Sequence, residues 1–126
     1  MNYDEAIEYI ETVSCSGIMP GLVRIQALLE KTEHPEKKCN VIHVAGTNGK
    51  GSVCSYISSI LMKAGYRVGR YVSPTLFDYR ERIQINDSWI SKADTAYWMS
   101  RVREADERMQ AEGMEGASAF ELETVM

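Results

Sequence analysis

No stretch of this sequence approaches the roughly 20 consecutive apolar residues that span a bilayer. Its N-terminus, Met1-Asn2-Tyr3-Asp4-Glu5, has neither the basic region nor the apolar core of a secretory signal. These absences leave no reason to expect a membrane partner or export, and they point to a cytoplasmic protein. Basic residues are in the minority: 14 Lys and Arg stand against 18 Asp and Glu, a formal charge of -4. With no basic arm and no basic stripe interleaved with aromatics, nucleic acid is not an expected partner. Small anions remain possible, because local groups hold them rather than net charge. The three cysteines, Cys15, Cys39 and Cys54, form no C-x-x-C and have no histidine pair nearby. An odd, scattered set argues against a disulfide framework or a zinc site and fits reduced thiols. No Ser/His/Asp nucleophile set, internal repeat or low-complexity tract is visible.

What is present is ordinary in bulk and unusual in one place. A hydrophobic content of 44% and a charged content of 25% over 126 residues fit one soluble domain at most, with a modest core. The unusual place is Val41-Ile42-His43-Val44 followed by Ala45-Gly46-Thr47-Asn48-Gly49-Lys50-Gly51-Ser52. It reads as a short buried strand, a glycine-rich turn and a helix, with Val53, Ile57, Ile60, Leu61 and Ala64 on one helical face. Gly46, Gly49 and Gly51 let main-chain N–H groups approach an anion with no Cβ in the way. The first helical turn offers further N–H groups and the positive end of a dipole. Lys50 adds a full charge within reach of β- and γ-phosphates, and Ser52 or Thr47 supplies a hydroxyl for Mg²⁺. The spacing departs from G-x-x-x-x-G-K-[ST], because Gly51 separates the lysine from the hydroxyl. A triphosphate site is expected, but not a generic kinase or GTPase loop.

The remaining chain supplies the frame. Ala6, Ile7, Ile10 and Val13 share a face of a helix that Asn2 can cap, and the segment from Ser14 to Gly21 breaks it. Leu22, Ile25, Leu28 and Leu29 mark a second helix. After the phosphate-loop helix, Gly65 provides a stop and Arg67 to Val72 reads as a strand. Strand, helix and strand predict a right-handed βαβ unit with parallel strands, whose ligands bind beyond the strands' carboxyl ends. Arg82 to Ile85 and Trp89-Ile90 alternate about Asn86-Asp87-Ser88 as a hairpin. Trp98, Val102, Ala105 and Met109 stripe a long helix reaching about Ala111. Glu112 to Ala117 reads as a flexible linker and Ser118 opens a final short helix. A helix that short and two parallel strands need packing partners, so the chain is expected to be the front part of a larger protein, or a fragment that needs a partner.

Five blocks together carry a resemblance over nearly the whole chain. They are Gly17-Ile18-Met19-Pro20-Gly21-Leu22-Val23-Arg24-Ile25, the Val44 to Ser52 stretch with its Thr-Asn-Gly-Lys-Gly core, and Ala64-Gly65-Tyr66-Arg67-Val68-Gly69. The fourth runs from Ser73-Pro74-Thr75-Leu76-Phe77 through Arg80-Glu81-Arg82-Ile83, and the fifth is Ser118-Ala119-Phe120-Glu121. The chain resembles the N-terminal part of the folylpolyglutamate synthase/dihydrofolate synthase family within the Mur ligase superfamily.

The resemblance implies an α/β fold: a P-loop NTPase-like Mur ligase central domain with a parallel sheet and flanking helices, incomplete in residues 1–126. It also implies an ATP-dependent ligase joining L-glutamate to folate or dihydropteroate through an acyl phosphate, with ATP and Mg²⁺ as cofactors, and a monomer as the full-length protein. Carried over, Gly46, Thr47, Asn48, Gly49, Lys50, Gly51 and Ser52 bind ATP, with Lys50 catalytic, and Ser73 joins Ser52 as a Mg²⁺ ligand. Gly17, Ile18, Met19, Pro20, Ser118, Ala119, Phe120 and Glu121 line the pteroate pocket. The segment bearing Pro74, Phe77, Arg80 and Arg82 looks like the family's mobile loop. Simpler readings stand beside these. Ser73-Pro74 can be a strand-ending turn, Glu121 a capping-box partner of Ser118 and Phe120 core. Arg80 and Arg82 can pair with Asp78 and Glu81. Thr75 stands where the family commonly has histidine, and Val23 replaces a frequent glutamate. The rest of the family's site would lie beyond Met126, so turnover by this chain alone is not expected. A peptidoglycan Mur-type ligase and a non-catalytic nucleotide-binding module are the alternatives.

Overall fold

The computed structural model describes residues 1–14 and 20–126. It divides into two compact units, Met1–Val41 with Ala93–Met126, and Ile42–Lys92.

The first unit is helical: α1 (Tyr3–Ser14), α2 (Val23–Lys31), a 3₁₀ turn at Pro35–Lys38, α4 (Lys92–Ala111) and α5 (Ala119–Val125). The Asn2 Oδ1 accepts from Glu5 N at 2.9 Å, and Glu5 Oε2 accepts from Asn2 N at 2.8 Å. This reciprocal cap starts α1 where the sequence expects it. Thr95, Ala96, Met99, Val102, Ala105, Asp106 and Met109 form the buried stripe of α4. With Ala6 and Ile10 of α1, Leu28 of α2, and Ala117 and Leu122, its apolar members are the buried core of the unit. The stripe differs from expectation at Trp98, which is about half exposed with its ring edge-on to Tyr97 at 5.0 Å. Met99 is inward instead, its flexible thioether filling a place the indole does not enter. The segment from Glu112 to Ala117, expected as a linker, is tied down. Lys31 Nζ reaches Glu112 at 2.6 Å, and Ala117 N donates to the buried Asp106 Oδ1 at 2.7 Å.

The second unit holds α3 (Lys50–Lys63), β1 (Gly69–Tyr71), a 3₁₀ turn at Tyr79–Arg82, β2 (Ile83–Ile85) and β3 (Ser88–Trp89). Helix α3 ends on Gly65 at φ +90°, with Gly65 N bonded to Met62 O and Tyr66 N to Leu61 O. This is the two-bond C-terminal motif that glycine favours. The predicted hairpin is present: Gln84 pairs with Trp89 and Ile85 with Ser88. It closes through Asn86 and Asp87 at φ +48° and +61°, the positive dihedrals of a tight two-residue turn.

Two expectations fail here. The predicted parallel βαβ pair is not formed: β1 pairs antiparallel with β2, Gly69 opposite Ile85 and Tyr71 opposite Ile83, in a three-stranded order β1-β2-β3. Residues 41–44 are not a strand and are not buried, with Val41 71% and Ile42 60% exposed. The reason is physical. A strand exists only where a neighbour takes its N–H and C=O groups, and no described residue does so there. The face of α3 expected to be buried is correspondingly open. Ile60 is 67% exposed, and among residues 42–92 only Ser58 is buried.

Candidate functional site

The phosphate-loop residues keep their predicted local geometry although the strand before them does not form. Helix α3 begins at Lys50 with Gly49 as its N-cap at φ +78°, and no side chain caps it. Val53 N is the first amide to find a helical carbonyl, bonding Gly49 O at 3.0 Å. The amides of the first turn therefore point out of the helix end with no side-chain acceptor. The left-handed dihedral explains Gly49. Gly51 needs another reason, since a Cβ built there meets nothing within 4 Å. Internal packing does not require that glycine, whereas close approach of a ligand would. Lys50 Nζ donates to Gly46 O at 2.6 Å and lies 3.5 Å from Thr47 O. The ammonium thus lies folded over the loop, and among the described residues it is carbonyl dipoles that oppose its charge. The 45–52 stretch is exposed throughout, so an anion has access to amides and ammonium together.

Ser73, also exposed, follows β1, and its bond to Pro74 is cis. In the loop after it, one carboxylate gathers three successive backbone amides. Glu81 accepts from Leu76 N at 2.8 Å, Phe77 N at 2.7 Å and Asp78 N at 2.8 Å. The Leu76 amide holds the Glu81 carboxyl below its usual range. Desolvation opposes this, while the amides of Asp78 and Phe77 add to it. Asp78 in turn caps the 3₁₀ turn and takes Arg80 through Nε at 3.0 Å and Nη2 at 2.8 Å. Arg80 also lies 5.6 Å over the Trp89 ring, and Arg82 lies 5.5 Å over Tyr79. The charge of Arg80 is therefore matched within the loop, as the simpler reading of its sequence had it. Phe77 is 90% exposed at the tip.

The expected pteroate-pocket residues belong to the helical unit. Gly17, Ile18 and Met19 lie outside the described residues, and Pro20 is exposed. Ser118 and Glu121 form the capping box of α5. Glu121 Oε2 accepts from Ser118 N and Ser118 Oγ, both at 2.8 Å, and from Arg24 Nε at 3.1 Å. Burial pushes the Glu121 carboxyl up, but the Ser118 donors and Arg24 outweigh it and hold the pKa low. Ala119 is half-buried and Phe120 is exposed. The sequence motifs alone give Arg24 no role. The signal was there: Arg24 sits four residues before Leu28, on the face of α2 that is buried.

No family model matches the chain. Among curated proteins it is 39% identical over 109 residues to the dihydrofolate synthase/folylpolyglutamate synthase of Bacillus subtilis, covering 86% of this chain and 25% of that protein. It is 37% identical over 110 residues to the folylpolyglutamate synthase of Lacticaseibacillus casei, covering 87% and 26%. Among solved structures, the folylpolyglutamate synthetase of Lactobacillus casei superposes with a TM-score of 0.92 at 35% identity, over 99% of this chain and 32% of that one. The Thermotoga maritima enzyme gives 0.87 at 38%, over 98% and 28%. A further match, with a TM-score of 0.87 over 99% of this chain and 31% of its own, is a folylpolyglutamate synthase complex with AMPPCP and folate. The chain spans about a quarter of the length of the curated relatives it matches. Sequence identity and backbone agreement together place it in the folylpolyglutamate synthase/dihydrofolate synthase family, with the Mur ligase fold of that family in part.

Proposed function

We propose that this chain supplies the ATP-phosphate grip and part of the pteroate-binding wall of an ATP-dependent ligase that joins L-glutamate to folate or dihydropteroate. One observation carries the reading: an uncapped helix start at Gly49, with an ammonium folded over it, in a chain whose relatives bear the names of such synthases.

In the proposed reaction a folate or pteroate carboxylate oxygen takes the γ-phosphoryl group of ATP and ADP departs. The amino group of L-glutamate then attacks the acyl carbon, phosphate leaves and the amine gives up a proton. Negative charge is spread over the transferring group, and fixed donors that need no rearrangement are the economical way to stabilise it. The amides of residues 49–52 and the Lys50 ammonium are such donors. Lys50 exchanges two carbonyl contacts for phosphate oxygens, so its charge becomes paired only when nucleotide is present.

The residues fit Mg²⁺ as well. Among the described residues no cluster of three or more His, Cys, Asp or Glu is poised for a metal. The hydroxyls of Ser52 and Ser73 would be minor ligands beside phosphate oxygens and water, a set suited to an ion that retains several waters. When bound, the ion would neutralise phosphate charge and orient it. Phe120, on the first turn of α5, would offer its ring to the pteridine; Pro20, Ser118 and Ala119, together with Gly17, Ile18 and Met19 outside the described residues, are the other residues assigned to the pteroate. A cytoplasmic setting suits the three thiols and the reaction's dependence on ATP. No helix among the described residues is long and apolar enough to cross a membrane.

A chimera tests this reading. With this chain in place of the matched 109 residues of the Bacillus subtilis enzyme, growth should be restored to a strain lacking folate–glutamate ligase. The same chimera with Lys50→Ala should fail. Equal growth with and without the lysine would refute the assignment.

A further inference from the structure

The start of α5 is more firmly held than a helix of seven residues requires. A capping box needs only its serine and its glutamate, and Ser118 and Glu121 already provide that. A third donor nevertheless comes from α2: Arg24 Nε sits 3.1 Å from Glu121 Oε2, with Arg24 9% and Glu121 7% exposed. Arg24 Nη1 lies 3.7 Å from Glu115 Oε2, in the segment leading into the helix. Burying an ion pair is a poor route to stability, because desolvation offsets the attraction. What the pair does supply is geometry. It holds Glu121, and Glu121 holds the Ser118 amide and hydroxyl, so the backbone between them is tied at both ends.

Between them stands Phe120. Glu121, Leu122 and Glu123 after it are buried, as is Ala117 before it, yet Phe120 is 61% exposed. Phenylalanine is usually interior, and this chain has only two. A ring displayed on a backbone fixed from both sides can stack on a flat ligand with little loss of freedom on binding.

We propose that Arg24 is a positioning residue. Through Glu121 and Ser118 it sets the orientation in which Phe120 presents its ring to a flat heteroaromatic ligand. The identity of that ligand as a pteridine rests on the proposed function, but the positioning of the ring does not.

Two phenylalanines make the test direct. The chain labelled with 4-fluorophenylalanine gives two fluorine resonances, assigned by Phe77→Tyr. In Arg24→Met the Phe120 resonance should broaden or move toward its value in the denatured chain while that of Phe77 stays in place. Glu121→Gln should do the same, and Arg24→Lys, which keeps the charge but not the Nε donor, should fall between. If Arg24→Met does not fold, the Arg24→Lys comparison alone decides. Folate titration of the wild-type chain should shift the Phe120 resonance. Phe120→Ala and Arg24→Met should each weaken folate about tenfold, and the double variant should be no weaker than either single one. An unmoved Phe120 resonance in a folded Arg24 variant, or losses that multiply in the double variant, would overturn the positioning role. Folate leaving both wild-type resonances unchanged would overturn the pteridine as ligand, and the fluorine comparison among variants would still decide the role of Arg24.

Discussion

Lys50 is the residue on which the proposed chemistry turns, and its two contacts in the structure are both to carbonyl oxygens of its own loop. Removing it should leave the fold intact, since the side chain is exposed and touches its own loop alone among the described residues. It should remove charge-assisted phosphate contacts, on the order of 1.5–3 kcal/mol, or about 10- to 150-fold in affinity for Mg·ATP. Calorimetry of Lys50→Ala beside a thermal melt separates those two effects. Two other side chains set pH dependences of opposite sign. The Glu81 carboxyl is held below its ordinary value of 4.5 by the Leu76 amide, with help from those of Asp78 and Phe77. Its hold on the 76–78 backbone is therefore fully present above pH 4.5 and is lost as the pH falls through the lower folded value. Amide resonances of Leu76, Phe77 and Asp78 should titrate together in that acid range and cease to do so in Glu81→Gln. Tyr9 is the reverse case: desolvation first, then the neighbouring Asp106, raise its phenol from 10.0 to about 12. The stabilisation tied to its neutral form is complete below pH 10.0 and drains away between 10.0 and about 12. Urea unfolding across that range should show a loss for the wild type and a flatter curve for Tyr9→Phe.

Each helix was legible in the sequence because its signals are local: Asn2 and Glu5 for the start of α1, Gly65 for the end of α3, Ser118 and Glu121 for α5. The β2–β3 hairpin was legible for the same reason, Asn86 and Asp87 being residues that accept a positive φ. The strand at residues 41–44 was not, although its composition suits one, because pairing is a property of two segments. Apolar residues say that a strand would be stable if flanked; they do not bring the flanking strand. The site divides along the same line. The loop geometry at Gly49 and Lys50 followed from local residue types, whereas Arg24 meets Glu121 across 97 positions of sequence and only the fold joins them. A mutational contrast checks this picture of the helices. Leu28→Ala, at a fully buried position of α2, should cost about 2–5 kcal/mol. Ile60→Ala on the open face of α3 should cost less than about 0.5 kcal/mol. Equal losses in urea unfolding would contradict the burial described for α3.

The molecule as a whole is uneven. Every buried apolar residue among those described belongs to the helical unit, while residues 42–92 bury Ser58 alone. Local stability follows buried contacts, so amide hydrogens of α3 and β1 should exchange well before those of α4, and mass spectrometry of exchanged peptides can rank them. The proposed phosphate grip thus sits on the less consolidated unit, in a chain that spans about a quarter of its relatives' length. On the proposed reading the head of α3 is nonetheless shaped for a triphosphate. Its most direct test is a titration of the ¹⁵N-labelled chain with Mg·ATP. Saturable shifts concentrated in the amides of residues 46–52 are expected, abolished in Lys50→Ala. Amides that stay unmoved at millimolar nucleotide, or that respond identically without the lysine, would contradict it.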